Sequence, residues 1–163
     1  ESFPKLLYVY NNFYDTTNTS ISLLAGLIKI ENEDVVWLNG DVVFEKVLLP
    51  QIIQSSTSCI AVNTNSVGEE EIKYNVFDDG NIKEVSKTVS PALGEAVGIN
   101  KVMTSDLPLF KANLEKCNNQ DYFEKALELS IQDGMKIMPV DINKYLCMEI
   151  DFEDDLEQIN KQL

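Results

Sequence analysis

Apolar residues along this chain fall into short runs that alternate with longer stretches of helical spacing. Residues 5–10, reading Lys-Leu-Leu-Tyr-Val-Tyr, form an apolar and aromatic run suited to a buried strand. A polar loop with Phe13 and Tyr14 follows, and Thr17, Asn18 or Thr19 can cap a helix. That helix carries Ile21, Leu24 and Ile28 on one face, widened by Leu23 and Leu27, and is expected to end near Lys29. After a turn at residues 31–34 comes the apolar run Val35 to Leu38, cut off by Asn39-Gly40-Asp41. Asn-Gly between two apolar runs is a strong hairpin signal, which would make Asp41 the first residue of a return strand. A strand and a helix precede the run, however, and residues 45–55, which contain Val47, Leu48, Ile52 and Ile53, look helical, with Pro50 starting or kinking the helix. A βαβ arrangement with residues 35–38 as a central parallel strand is therefore the favoured reading.

Farther on, residues 57–62 form another strand candidate, and residues 69–71 are an acidic edge. Residues 72–77 alternate, end in Asp78-Asp79-Gly80-Asn81, and are followed by the run 82–85, the clearest hairpin in the sequence. Residues 90–94 are a loop and 95–102 a strand. Two helices are expected at 105–117 and 121–130, burying Leu109, Phe110 and Leu114, then Phe123, Leu127 and Ile131, with Gly134 stopping the second. Residues 135–140 and 145–150 read as strands, and 151–163 as a closing helix with Leu156, Ile159 and Leu163 on one side. No repeat, low-complexity tract or linker interrupts the pattern. The 163 residues therefore read as one domain with a mixed α/β sheet and a β-hairpin excursion.

Composition narrows the chemistry. Thirteen basic against 27 acidic residues give a net charge of −14, which argues against a phosphate-tracking nucleic-acid surface and against an anionic membrane. Histidine is absent, removing Ser-His and Cys-His nucleophiles, His-ligated zinc and imidazole proton transfer together. Catalysis would have to use carboxylates, lysines, backbone amides or an oxygen-bound metal. Cys59, Cys117 and Cys147 are far apart and without a C-x-x-C pair, as expected for reduced thiols in a cytoplasmic protein. No apolar run is long enough to span a bilayer, and no signal peptide is visible. The missing initiator methionine and a strand so near residue 1 suggest a cut end.

Two acidic places stand out: Asp41 at the end of one strand, and Glu149-Ile150-Asp151 at the end of another. If the two strands share a sheet and a direction, their carboxylates meet at one edge and suit Mg²⁺, which keeps several waters and takes phosphate oxygens. Taken singly, Asp41 is also a good turn residue, Glu149 a solvated strand residue and Asp151 a good helix N-cap. Lys73 and Lys87 flank the hairpin and can reach a phosphate, although lysines there also protect a sheet edge. The glycines of Gly94-Glu95-Ala96-Val97-Gly98 let a backbone approach a ligand closely, or mark a loop entering a strand.

In this order, Asn12-Phe13-Tyr14 with Asn18, Leu38-Asn39-Gly40-Asp41-Val42 with Phe44, Ile72-Lys73, Val85-Ser86-Lys87, Gly94-Glu95 with Gly98-Ile99, and Met148-Glu149-Ile150-Asp151 with Asp155-Leu156 resemble the nucleotidyltransferases of the sugar-phosphate type. The branch that activates phosphocholine or aminoalkylphosphonates with CTP is the most similar. The resemblance implies a Rossmann-like, mostly parallel mixed sheet flanked by helices, Mg²⁺ held by Asp41 and Asp151 with Glu149 as a further ligand, and Lys73 and Lys87 facing the active cleft. The loop of Asn12 and Tyr14 would lie at the same edge as the substrate. The reaction it implies is attack of a phosphate or phosphonate oxygen on the α-phosphorus of CTP, releasing pyrophosphate. Tyr10, Phe13, Tyr14 and Tyr145 are the aromatics that would wall a quaternary ammonium.

Family members also open with a glycine-rich loop carrying an arginine and a following lysine, which this chain lacks. Residues 5–10 match the family's third strand, so two opening βα units, roughly 60 residues, are expected to be missing and the chain to be inactive alone. It would then be the carboxy-terminal portion of a nucleotidyltransferase domain. A sugar 1-phosphate substrate, a non-catalytic interaction or regulatory domain of the same fold, and a plain α/β domain without a shared carboxylate site remain the alternatives.

Overall fold

The computed structural model describes residues 6–65, 67–68 and 71–162. In chain order they form α1 (Thr19–Leu27), β1 (Val35–Leu38), β2 (Val42–Phe44), α2 (Leu48–Gln54), β3 (Cys59–Asn63), β4 (Lys73–Val76), β5 (Ile82–Ser86), β6 (Gly94–Val102), α3 (Leu107–Leu114), α4 (Phe123–Gln132), β7 (Met138–Asp141), β8 (Cys147–Glu149) and α5 (Glu153–Asn160). The expected mixed α/β architecture with helices against a mixed sheet is present. Expected residues Lys5, Glu69, Glu70 and Leu163 lie outside the described residues. Among the described residues, no helix is long and apolar enough to cross a membrane.

The long strand β6 is the spine of a six-stranded sheet of order β5-β4-β6-β3-β7. One edge of β6 pairs with β3. The other is shared: β4 takes Gly94 and Glu95, and β1 takes Ile99 to Val102. Between the two lies Gly98 at φ +69°, beside the register shift of the β3 ladder, a bulge that bends the spine. β1, β3, β4 and β7 all run one way, as a mostly parallel sheet would have it, but β6 lies among them in the opposite sense. Only the β3·β7 ladder is parallel among the described residues.

Three readings are corrected by the strand pairing. The run 35–38 is not a central parallel strand; it pairs antiparallel with β6, from Val35↔Val102 to Leu38↔Ile99. An unbroken apolar run reports burial on both faces and is silent about the direction of its neighbour. Nor do residues 35–44 form a hairpin, because β2 leaves for a separate two-stranded sheet with β8. Residues 6–10 are not a strand either: they are irregular and exposed, Leu7 at 93%. A strand needs a ladder partner for its backbone groups, and none of the described residues supplies one there.

The hairpin expected around Asp78-Asp79-Gly80-Asn81 is β4·β5, closed by Phe77 N–H to Asn81 O at 2.8 Å, with Gly80 at φ +84°. It is part of the main sheet. Alternation along β3 separates two cores. Ile60 and Val62 join Trp37, Phe110, Phe123 and Leu127 under α1, α3 and α4, whereas Cys59 and Ala61 join Leu48, Ile52 and Ile99 under α2.

Helix α1 is capped by Asn18, whose Oδ1 accepts from Thr19 N–H at 2.8 Å. It buries Leu27 with Leu23 and Leu24 packed behind, as expected, but Ser20 is buried with them and Ile28 is left 61% exposed. The helix docks on the segment before α4 through Asn18 N–H to Asn119 O and Ser20 Oγ to Asp121 O, both 2.7 Å, and these bonds set its rotation. A buried serine with its hydroxyl satisfied carries no apolar signal in the sequence.

Candidate functional site

The turn after β1 and the β2·β8 ribbon build one side of a cleft of about 610 Å³. Val42 lies opposite Glu149, and Ile150 N–H donates to Asp41 O at 3.0 Å. Asp41 therefore meets Glu149 and Asp151, and all three line the cleft. The three carboxylates line the same cleft, and they are brought to it by an antiparallel ribbon rather than by the edge of a parallel sheet.

Asp151 is not the helix cap it could have been. The α5 cap position is Phe152, and Asp155 Oδ2 accepts the backbone N–H groups of Asp151 and Phe152 at 3.2 and 2.9 Å. Asp151 keeps its carboxylate for the cleft. Burial raises the pKa of Glu149; an amide hydrogen bond from Asn39 at 3.3 Å opposes that shift, and Glu71, Asp41 and Asp151 add to it. A second hollow of about 440 Å³ next to the first shares Glu71, Glu149 and Asp151 and adds Glu95 and Asp155. Burial likewise raises Glu95.

An all-oxygen donor set whose members repel one another fits a hard divalent cation. Among the described residues, no three acidic side chains close on one point. A cation in this cleft would have to take its remaining ligands from water and substrate.

Lys87 also lines this cleft, its Nζ 5.7 Å from the centre of the Tyr122 ring. Lys73 stands beside it, donating through Nζ to Lys87 O at 3.3 Å, outside the cleft lining. Asn12 and Tyr14 are exposed and neither lines the cleft, although the adjacent Asn11 Nδ2 donates at 3.0 Å to Ser22 Oγ, which does. Their loop is tied down by Asn11 Nδ2 to Thr17 Oγ1 and Gln120 Nε2 to Thr16 O, both 2.9 Å. Of the four aromatics singled out for a cationic headgroup, Tyr10, Phe13 and Tyr14 are exposed, and Tyr145 packs with the α2 core and bonds Gln51. None lines the cleft.

The aromatic wall comes instead from Trp37, Tyr122 and Phe123. Trp37 stacks on Phe110 at 5.3 Å and meets Phe123 edge-on at 5.6 Å. Next to Phe123 stands Glu124, which the sequence reading passed over. It lines the cleft, is 8% exposed, and its Oε2 has no hydrogen-bond partner. Burial pushes its pKa up to about 7. The signal was available: Glu124 shares the apolar stripe of Leu127 and Ile131, where a carboxylate has no structural reason to be.

No family model and no curated protein matches the sequence. Solved structures do match the fold. An inositol-1-phosphate CTP transferase from T. maritima superposes with a TM-score of 0.74 at 17% identity, over 90% of this chain and 61% of that one. A CTP:phosphocholine cytidylyltransferase from Streptococcus pneumoniae gives 0.73 at 14% identity, over 93% and 66%. A UDP-glucose pyrophosphorylase gives 0.65 at 14% identity, over 91% and 64%. The chain thus spans about two thirds or less of the length of these structures. Across about nine tenths of its residues, the chain shares the fold of these three structures.

Proposed function

We propose that the chain belongs to a Mg²⁺-dependent nucleotidyltransferase that transfers CMP from CTP to a phosphocholine- or aminoalkylphosphonate-like substrate. A substrate phosphate or phosphonate oxygen forms a bond to the α-phosphorus of CTP, the bond from that phosphorus to the bridging oxygen breaks, and pyrophosphate leaves. Asp41 and Asp151, with Glu149, would hold Mg²⁺, whose chemistry is charge neutralisation and alignment of phosphate oxygens. Lys87 offers an ammonium to the same oxygens, and Lys73 stands behind it through the Lys87 carbonyl. Catalysis in this scheme is positioning and electrostatics, so the missing histidine is no obstacle.

The observation that carries the substrate class is Glu124. A buried carboxylate that lines the cleft with Trp37, Tyr122 and Phe123, has one oxygen unpartnered and feels the charge of Lys87 suits an organic cation carried in on a substrate. The titration of Glu124 near neutrality also favours a second reading, a sugar 1-phosphate whose hydroxyls bond the protonated acid.

Pyrophosphate release by the protein in its natural reading frame tests both. Each NTP is paired with phosphocholine, aminoethylphosphonate and a panel of hexose 1-phosphates. Turnover is expected with CTP and the cationic substrates, and Asp41→Ala or Asp151→Ala should abolish it. Preference for hexose phosphates selects the second reading, and silence with every pair leaves the non-catalytic domain.

A further inference from the structure

We propose that Asn39 is a positioning residue that fixes the orientation of the Glu149 carboxylate for a divalent cation, and that Gly98 is the seat that lets it do so. The inference rests on the reading of Glu149 as a cation ligand.

Three local facts assemble the device. Asn39 directly follows β1, and its backbone N–H donates to Gly98 O at 2.8 Å, continuing the β1·β6 ladder by one residue. Its side chain lies directly over Gly98. A Cβ added there would stand 2.7 Å from Asn39 Nδ2, 2.8 Å from Cγ and 3.0 Å from Cβ, closer than side-chain atoms tolerate. Gly98 is also at φ +69°, a conformation side-chain-bearing residues avoid. From this seat Nδ2 reaches Glu149 Oε1 at 3.3 Å, across 110 residues of sequence.

The bond has a direction that matters. An amide N–H engages one carboxylate oxygen and stops the group from rotating freely, so the other oxygen is presented at a fixed place. Glu149 is half-buried among Asp41, Asp151 and Glu71, none of which can donate when ionised. Asn39 is the donor to Glu149 among the side-chain bonds of the described residues. Hydrogen-bonding partners behind metal ligands are typically worth about 10–100-fold in metal affinity.

Mn²⁺ titration of the full chain at pH 8, read from the electron paramagnetic resonance signal of the free ion, tests this without any turnover. Asn39→Ala and Gly98→Ala should each weaken Mn²⁺ binding about tenfold, and Glu149→Gln at least as much. Because Asn39 acts through Glu149, the double variant Asn39→Ala/Glu149→Gln should bind no more weakly than Glu149→Gln alone. A purely structural role predicts additive losses, and additivity would overturn the proposal. So would wild-type affinity in Asn39→Ala when Glu149→Gln is weakened. If Gly98→Ala or Asn39→Ala does not fold, Asn39→Ser, too short to reach Glu149, carries the same double-variant comparison. Should Asp41→Ala and Asp151→Ala bind Mn²⁺ as wild type does, or the wild type not bind it, the metal reading itself fails. Loss in those two with none in Asn39→Ala overturns the inference on Asn39 alone.

Discussion

Lys101 and Glu124 are both ionisable side chains shut away from water, at 3% and 8% exposure, and the fold treats them in opposite ways. Lys101 leaves β6 on the α2 face and spends its ammonium on the fold. It donates to Ile53 O at 2.8 Å and Ser55 O at 2.6 Å, at the end of α2, and pairs with Asp34 Oδ2 at 3.2 Å. Asp34 is held in turn by Thr104 N–H at 2.9 Å, the largest cause of its lowered pKa. Glu124, under the other face, has one oxygen with no partner and a pKa raised by burial. A buried charge that is fully hydrogen-bonded belongs to the architecture; one left open beside a cleft marks a candidate position for binding.

Substitution should separate the two most sharply. Lys101→Met strands two carbonyls and removes the partner of Asp34, and about 3 kcal/mol of stability should be lost in urea denaturation. A loss too small to measure would make Lys101 as dispensable as a surface lysine and erase the contrast.

Glu124→Gln should act with the opposite sign. Folded Glu124 holds its proton up to about pH 7, whereas in the unfolded chain it releases it near 4.5. Between those values the folded state binds more protons, so wild-type stability falls as pH rises from 4.5 to 7 and levels off above. Glu124→Gln should lack that fall, ending up to about 3 kcal/mol more stable at pH 8 and little changed at pH 4.5. Denaturation at the two pH values measures it, and equal stabilisation at both would remove burial as the cause.

The smallest effect is expected at Lys136, whose Nζ lies 3.3 Å from Asp79 Oδ2 with both side chains at least half exposed. Lys136→Ala should leave the urea midpoint where it was, since water and salt already screen that pair. This control shows that the Lys101 effect comes from burial rather than from removing a lysine.

The legibility of the molecule in its sequence follows the range of the forces involved. The β4·β5 hairpin was readable because Asp79-Gly80-Asn81 supplies its own turn chemistry. Helix α4 was readable because Phe123, Leu127 and Ile131 repeat at helical spacing. The face of α1 was readable only in part, because Ser20, a polar residue, is buried once bonded to Asp121. The strand expected at residues 6–10 failed for a related reason, since an apolar run is a strand only where another strand receives it. In the site, Asp41, Glu149, Asp151 and Lys87 were identified from motif order, and the cleft gathers all four. Trp37 and Tyr122 were not, because they look like ordinary core and surface residues until their neighbours are known, whereas Glu124 was betrayed only by its place on the apolar stripe of α4.

By itself, then, the sequence determined the elements, their alternation, one turn and the candidate acidic residues, all matters of contacts a few positions apart. Only the tertiary structure decided that β1 runs antiparallel to β6, that β2 leaves it for β8, and that Asn39 comes to rest on Gly98 and reaches Glu149. Pairing direction and the burial of a single carboxylate depend on residues far away in the sequence, and no local pattern of apolar and polar side chains encodes which distant partner will arrive.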